Sequence, residues 1–371
     1  MKKRFIASNA VVAMIVLAMT AIQIVSCKKD NDNDNGNAPP PGYQQVNLVS
    51  DVAGAGAEAV DKDLLNPWGL AFGPTGIIWI SGNHSGVTTV YNNEGFTVLP
   101  AVAIPFRDQH KGGAPTGVVF NNTADFIVPG GGAKKSVFIY ATENGTVSVW
   151  NGADSTVMVA DRSTANAIYK GIAICKDGLD NFLYLADFRN GKIDVLDKNF
   201  SYVDKPFADP DLPAGFAPFN IKAIGGKLYV AFAKQGPDKE DDERGNGNGY
   251  VDIFNPDGSF VKRFASAGTL NSPWGLAQIP SAMGNTQNAF GIAEGSVLIG
   301  NFGDGRINIF DDAGNYKGQL MKAGSPLTIF GLWEISFEDA SIPDSKPGRL
   351  YFTAGTGDET HGIFGYVSYG Y

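Results

Sequence analysis

A four-residue pattern occurs six times along the chain, at intervals of about 48 to 56 residues. The copies are PWGL at 67–70, PTGV at 115–118, YKGI at 169–172, PFNI at 218–221, PWGL at 273–276 and IFGL at 329–332. Five of the six have glycine in third place, and the exception, Asn220, is of the type that best tolerates glycine-like backbone angles. A short repeated unit cannot bury its apolar surface alone, so the copies are expected to pack on one another.

Each copy is followed by further apolar runs that are separated by turn signals. Residues 77–80 are apolar without alternation, which predicts a strand covered on both faces. Second strands are predicted at 77–80, 137–140, 182–185, 228–232, 297–299 and 350–352, and third strands at 87–91, 147–150, 193–196, 251–254, 307–310 and 363–367. A fourth strand then leads to the next copy, as at 260–264. The 47 glycines and 20 prolines fit the many tight turns of an all-β protein.

Six units of about four strands predict an all-β, six-bladed β-propeller over residues 44–371. The sixth unit ends after its third strand, whereas residues 44–50 (QQVNLVS) form a spare strand before the first copy. We therefore expect this N-terminal strand to complete the last blade as its outermost strand and so close the ring. A linear solenoid would not need that arrangement. The protein is predicted to be a monomer.

Several segments resemble the NHL-type repeat, namely GIAI at 171–174, LYLAD at 183–187, NGKI at 190–193, and the copy at 273–276 with Asn301, 305–307 and Phe310. The broader class that these segments resemble is the TolB-like six-bladed propellers. The NPWG sequence at 66–69 is similar to that of an uncharacterised family of secreted bacterial propellers. The resemblance implies the fold over residues 44–371 but little chemistry, because this class contains lactonases, lyases, receptors and scaffolds.

The first 26 residues have the composition of a targeting segment. A positively charged start is followed by an apolar run at 11–24, and the segment ends in Ile-Val-Ser-Cys at 24–27. This ending resembles a bacterial lipobox, which implies that Cys27 is lipid-modified and becomes the first residue of the mature chain. An ordinary transmembrane anchor is the alternative, although the apolar run is short for a span.

Residues 27–43 are polar and rich in aspartate and proline, which predicts a disordered tether. The acidic run after Cys27 resembles the surface-export signal of Bacteroidetes lipoproteins, but a solvated spacer explains the same residues. The chain is thus predicted to be an exported lipoprotein of the outer membrane that faces the periplasm or the cell surface, with membrane contact through its lipid only.

Charge and cysteine content exclude some classes of function. The formal net charge is −9 and no basic stripe occurs, which argues against nucleic acid as a partner. The chain has two cysteines, so no disulfide framework is indicated. Cys175 follows an apolar strand pattern and is predicted to be a small buried residue rather than a catalytic thiol.

A ligand site is expected on one rim of the central channel, where first strands begin and the turns between second and third strands lie. The candidate residues are Trp68, His84, Glu143, Lys170, Asp187, Arg189, Trp274, Asn301, Asp304, Asp358 and His361, with Thr116, Phe219 and Phe330 from the remaining copies. Such a polar and aromatic rim suits a polar small molecule, a glycan or a protein loop. Asn83, Asn144 and Asn301 have an alternative explanation as turn residues chosen for their backbone angles.

The three histidines lie on the same predicted rim. His84 and His361 belong to equivalent turns of the first and last blades, which are neighbours in a closed ring. They are predicted either to share a metal or acid–base role or to be exposed turn residues. His110 lies in the loop that leads to the second copy.

An acidic loop at 235–249 interrupts the fourth unit on this rim. Its carboxylates, Asp238, Glu240, Asp241 and Asp242, precede a Gly/Asn alternation and could supply oxygen ligands to Ca²⁺. The spacing does not fit an EF-hand, and a solvated flexible loop is the alternative. Ca²⁺ is the single cofactor that the sequence indicates.

Two functions from different classes follow. The first is a non-enzymatic binding or scaffold module that uses the channel rim, with its ligand unknown. The alternative is a Ca²⁺-dependent hydrolase or lyase, since lactonase-type propellers place Glu, Asn and Asp ligands around a central Ca²⁺. The residues that would converge are Asn83, Glu143, Asp187, Asn301 and Asp358. The first copy lacks the glutamate that those lactonases carry, and a streptogramin-lyase-like activity lacks a matching histidine pattern.

Overall fold

The computed structural model describes residues 42–280 and 290–370. The predicted signal segment 1–26, Cys27 and the tether up to residue 41 lie outside the described residues. The described chain forms six β-sheets of four or five strands, a two-residue hairpin (Met321–Lys322 with Ser325–Pro326) and one 3-10 turn (Ser163–Ala165). None of the helical structure in these residues is long and apolar enough to cross a membrane.

Each sheet is one blade, and in blades one to five the strands follow one another in sequence order. Blade one contains Pro67–Phe72, Ile78–Gly82, Val87–Tyr91 and Thr97–Ala103; blade two contains Pro115–Phe120, Phe138–Thr142, Thr146–Trp150 and Val157–Asp161; blade three contains Tyr169–Asp177, Asp180–Asp187, Lys192–Leu196 and Tyr202–Val203. Blade four contains Phe216–Ile224, Lys227–Lys234, Gly249–Phe254 and Phe260–Ser266; blade five contains Pro273–Gln278, Val297–Asn301, Ile307–Phe310 and Tyr316–Gln319; blade six contains Leu332–Phe337, Arg349–Thr356, His361–Gly370, Gly42–Ser50 and Ala57–Val60.

The blades form a closed ring. The first strand of each blade contacts the first strand of the next, and the first strand of blade six contacts that of blade one. Second strands such as Ile78–Gly82 and Phe138–Thr142 are buried along their whole length, as their unbroken apolar sequence predicts, whereas the fourth strand Val157–Asp161 is largely exposed. The predicted six-bladed β-propeller is therefore confirmed.

The third residue of the repeated pattern determines how closely neighbouring blades approach. A Cβ atom added at Gly69 would lie 2.6 Å from the carbonyl oxygen of Thr116, and one added at Gly275 would lie 2.7 Å from that of Trp333. Neither these glycines nor Asn220 has a positive φ angle. The glycines are thus required for space between blades. The explanation by glycine-like backbone angles, expected from the sequence, is wrong.

The sixth copy of the pattern lies three residues later than predicted. In blade one the ladder steps from the pair Pro67–Gly82 across a bulge to Leu70, and in blade six it steps in the same way from Leu332–Ala354 to Ile335. The equivalent tetrapeptide is therefore LWEI at 332–335, with Glu334 in third place. Gly331, which suggested the earlier alignment, has a φ angle of +72° and belongs to the preceding turn.

The N-terminal strand closes the ring as predicted. Gly42–Ser50 pairs antiparallel with His361–Gly370, from Gly42 opposite Gly370 to Ser50 opposite Ile363. It is not the outermost strand, however, because the chain turns back after Ser50 and Ala57–Val60 pairs in parallel along its outer edge. Blade six thus has five strands. The free Cys175 is buried in blade three, in line with its predicted structural role.

We expect Leu48→Ala to lower the free energy of unfolding by about 3 kcal/mol, because Leu48 is almost fully buried in the closing strand and its truncation leaves a cavity. Gln44→Ala, at an exposed position of the same strand, should change it by less than about 0.5 kcal/mol. Urea denaturation followed by tryptophan fluorescence measures both. Equal stability of the two variants would contradict closure through this strand.

Candidate functional site

The central channel is filled by aromatic side chains. Trp333 stacks on Trp68 with a ring-centroid distance of 3.5 Å and on Phe302 at 3.8 Å, and Trp274 meets Trp333 edge-on at 5.7 Å. Phe188 and Phe219 complete this aromatic plug, in which every ring is buried. Two predicted rim residues, Trp68 and Trp274, therefore lie in the floor beneath the rim. Phe330 points away from it and is 74% exposed.

One buried cation lies on the aromatic plug. Lys170 occupies the second place of its tetrapeptide, where four of the other five blades carry aromatic residues, and its side chain is 1% exposed. Its ammonium donates to Oε1 of Glu143 at 2.5 Å and to Oδ1 of Asp241 at 3.3 Å. The Nζ atom also lies 5.0 Å from the ring centre of Trp68, within cation–π range. Blades two, three and four are thereby joined at the channel.

The charges in this cluster stabilise one another. Burial alone raises the pKa of Glu143, but the charge of Lys170 and the hydrogen bonds from Lys170 and Asn83 outweigh it, so that the pKa lies below its ordinary value. Burial likewise lowers the pKa of Lys170, and the charges of Glu143 and Asp241 reverse this effect and raise it. Both groups are consequently ionised at neutral pH.

A second carboxylate is held beside the first by two asparagines. The buried Asn66 donates from Nδ2 to Oε2 of Glu359 at 2.9 Å and accepts from Nε1 of Trp333 at 3.0 Å. Asn83 donates to Oε2 of Glu143 at 2.8 Å. Burial raises the pKa of Glu359 above its ordinary value. Asn66 and Glu359 were not among the predicted site residues. The sequence signal that could have indicated Asn66 is its position directly before Pro67 and Trp68.

Above this cluster the rim forms an open depression of about 640 Å³. Turns of blades one, two, three, four and six surround it. The charged and titratable residues that line it are His84, Arg107, Glu143, Arg189, Glu240, Asp241, Asp358 and Glu359. The structure thus brings together four of the predicted rim residues, His84, Glu143, Arg189 and Asp358, with Lys170 directly beneath Glu143.

Other predicted rim residues form hydrogen bonds in or near their own turns and do not reach the depression. Asp187 is buried and accepts hydrogen bonds from the backbone of Ile168 and from Asn190. Asn301 donates to the carbonyl of Thr269, in the segment between blades four and five, and to Asp304 in its own turn. Neither Asn301 nor Asp304 lines the depression.

The histidines have different partners. Nε2 of His84 lies 3.4 Å from Nδ2 of Asn66, whereas Nδ1 of His361 lies 2.8 Å from Oδ2 of Asp51, outside the depression. His110 is exposed in its loop. Among the described residues, His84 and His361 therefore have no hydrogen-bond partner in common.

The acidic loop is tied to the rim. Glu240 pairs with Arg189, Asp241 pairs with Lys170, and Asp238 accepts the backbone N–H of Glu240 at 3.1 Å. Burial raises the pKa of Asp242. Across residues 42–280 and 290–370, no three or more His, Cys, Asp or Glu side chains are grouped as a metal site would require. The Ca²⁺ site remains a prediction.

Comparison with known proteins identifies relatives in a giant virus. Uncharacterized protein L690 of Acanthamoeba polyphaga mimivirus is 34% identical over 338 residues, which is 86% of this chain and 84% of that protein. Protein R648 of the same virus, also uncharacterised, is 34% identical over 335 residues, 86% of this chain and 78% of its own length. The chain belongs to the family of these viral proteins. No protein-family model matches it.

Solved structures share the fold. A protein of unknown function from Bacteroides thetaiotaomicron is 13% identical with a TM-score of 0.55, covering 88% of this chain and 76% of its own. Virginiamycin B lyase from Staphylococcus aureus is 11% identical with a TM-score of 0.50, covering 88% and 99%. At these identities the similarity concerns the propeller architecture alone.

We expect Lys170→Met to lower the free energy of unfolding by about 3 kcal/mol, because it leaves the carboxylate of Glu143, whose side chain is only 27% exposed, without its cation. Lys234→Met is the matched control. Lys234 pairs with Glu243 at 2.7 Å and both side chains are exposed, so its replacement should cost less than about 1 kcal/mol. Chemical denaturation at pH 7 measures both.

The effect of Lys170→Met should also depend on pH. Since the pKa of Glu143 is lowered in the folded state, its contribution to stability is present above its ordinary pKa of 4.5 and is lost as the pH falls through the folded-state value. The difference between wild type and Lys170→Met should therefore shrink in acid. The double variant Lys170→Met/Glu143→Gln should be more stable than Lys170→Met. A pH-independent cost would argue against the ion pair.

Proposed function

We propose that this protein is a lipid-anchored, extracytoplasmic binding module that takes a polar ligand in the depression on the channel rim. The observation that carries this proposal is the depression itself, about 640 Å³ and lined by charged side chains from five blades. A cavity of this size suits a small molecule or the tip of a larger one.

The charge of the depression indicates the class of ligand. Five carboxylates (Glu143, Glu240, Asp241, Asp358 and Glu359) line it against two guanidinium groups (Arg107 and Arg189). This excess of acceptors favours ligands that donate hydrogen bonds, such as glycans, polar cations or a basic protein loop, over anions. We propose a glycan or another hydroxyl-rich molecule as the first class to test.

Binding is favoured over catalysis because the rim carboxylates are already engaged by the chain. Glu143 is held by Lys170 and Asn83, and Glu359 is held by Asn66. A Ca²⁺-dependent hydrolase or lyase, the alternative, would have to release such carboxylates to coordinate its metal. The likeness to NHL and TolB-like repeats and to secreted bacterial propellers agrees with an exported binding module.

Membrane attachment rests on the sequence alone. The segment 24–27 supplies the lipobox-like ending, and residues 28–41 supply a tether before the closing strand begins at Gly42. Anchored in this way, the propeller would act as a monomer at the outer membrane. The tether would leave its rim accessible to ligands in the surrounding medium.

A glycan array probed with the full chain should identify ligands, and calorimetry should then show that Glu359→Gln weakens the binding about tenfold, because a hydrogen bond to a charged group is lost. Glu58→Gln, at an exposed position of Ala57–Val60, should bind like wild type. Equal affinity of all three proteins would place the ligand elsewhere. Turnover of a lactone or glycoside that is lost in Glu143→Gln would support the enzymatic alternative instead.

We expect Cys27→Ser to abolish metabolic labelling with a fatty acid and to release the protein from the membrane fraction of a bacterial host. The matched control is Cys175→Ser, which alters a cysteine buried in blade three and should leave labelling unchanged. Labelling of the Cys27→Ser variant, or its retention in the membrane fraction, would contradict a lipid anchor at this residue.

A further inference from the structure

The channel has a second mouth at the opposite end from the rim. It contains a cavity of about 320 Å³, lined by residues from the first strands of all six blades. Apolar side chains form most of its wall, among them Leu70, Val118, Ile172 and Ile221. Trp274 of the aromatic plug also lines it, so the plug separates this lower cavity from the depression on the rim.

One buried carboxylate, Glu334, lies in the apolar wall. Glu334 occupies the third place of the tetrapeptide in blade six, where the other blades have glycine or asparagine, and it is only 4% exposed. Its Oε1 accepts the backbone N–H of Ile335 at 3.2 Å and lies 3.5 Å from Nζ of Lys222. Lys222 is partly exposed and reaches across the channel from blade four. Both residues line the cavity.

The second oxygen of this carboxylate is free to accept a hydrogen bond. No residue within 42–280 or 290–370 donates to Oε2 of Glu334. A buried carboxylate with one incompletely paired oxygen is costly, because desolvation is only partly offset by a cation at 3.5 Å. The ring needs no carboxylate at this place, since glycine or asparagine serves in the other blades.

We propose that the lower cavity binds a small amphipathic cation, an aromatic or branched aliphatic amine whose ammonium group donates to Oε2 of Glu334. The apolar walls would cover the body of the ligand. Two carboxylates, Glu334 and Asp339, line the cavity against the one ammonium of Lys222, which leaves a net negative charge that favours a cation. The cavity volume lies at the lower end of the range for small-molecule sites.

This site is independent of the function proposed for the rim. The two cavities have no lining residue in common. Binding at the lower cavity can therefore be present whether or not the rim takes a glycan.

The test uses three probes of similar shape: 2-phenylethylamine, 2-phenylethanol and 3-phenylpropionate. Each is titrated into the full chain with labelled Ile, Leu and Val methyl groups, and binding is followed by NMR. The amine should shift the methyl signals of Leu70, Val118, Ile172 and Ile221, with a dissociation constant about tenfold lower than that of the alcohol or the carboxylate. Equal binding of the three probes, or shifts confined to other methyl groups, would overturn the proposal.

Two variants separate loss of the site from loss of the fold. Glu334→Gln should remove the preference for the amine while keeping the shape of the cavity. Ala223→Phe, at an exposed position in the mouth, should block all three probes without disturbing the core. Glu58→Gln should bind the amine like wild type. Unchanged amine binding by Glu334→Gln would refute the role of this carboxylate.

Stability provides a check that Glu334→Gln folds. Burial raises the pKa of Glu334, so the folded state holds a proton more readily than the unfolded state, and its ionisation destabilises the fold as the pH rises above the ordinary value of 4.5. Glu334→Gln should therefore be at least as stable as wild type at pH 7, and this advantage should decrease toward pH 4. A marked loss of stability at pH 7 would show that the carboxylate is needed for the fold.

Discussion

The close approach of six first strands around one axis is the constraint on which the rest of the structure depends. A side chain in place of Gly69, at the third position of its tetrapeptide, would collide with the next blade, since its Cβ would lie 2.6 Å from the carbonyl oxygen of Thr116. The side chain at the second place of the tetrapeptide then points into the central channel, which is so narrow that aromatic rings fill it. Because the blades pack this closely, aromatic side chains block the channel and leave two separate cavities at its ends.

The two mouths differ in chemistry because two charged residues, Lys170 and Glu334, depart from the repeated tetrapeptide. At the second place, blade three carries Lys170 instead of an aromatic residue, and this buried cation gathers carboxylates from neighbouring turns. At the third place, blade six carries Glu334 instead of glycine, and it introduces a carboxylate into an otherwise apolar cavity. Departures from the repeated tetrapeptide thus mark positions where the fold accepts a loss of stability that packing alone does not require.

Much of the fold could be predicted from the sequence, because repeat spacing and unbroken apolar runs are local signals. The closing strand was also predictable, since the last unit lacked a fourth strand and residues 44–50 formed a spare strand before the first unit. The register of blade six could not be predicted, because Gly331 fits the repeated sequence pattern but belongs to a turn. The roles of Asn66 and Glu359 depend on a contact between residues 293 positions apart, which no local pattern reveals.

The pairing of Gly42 with Gly370 has a consequence for biosynthesis. Gly42–Ser50 is synthesised before the other strands of the propeller and pairs antiparallel with His361–Gly370, the last of them, so the ring cannot close until both strands have been synthesised. Until then the nascent chain exposes an unpaired sheet edge, and joining its two ends is a slow, non-local step.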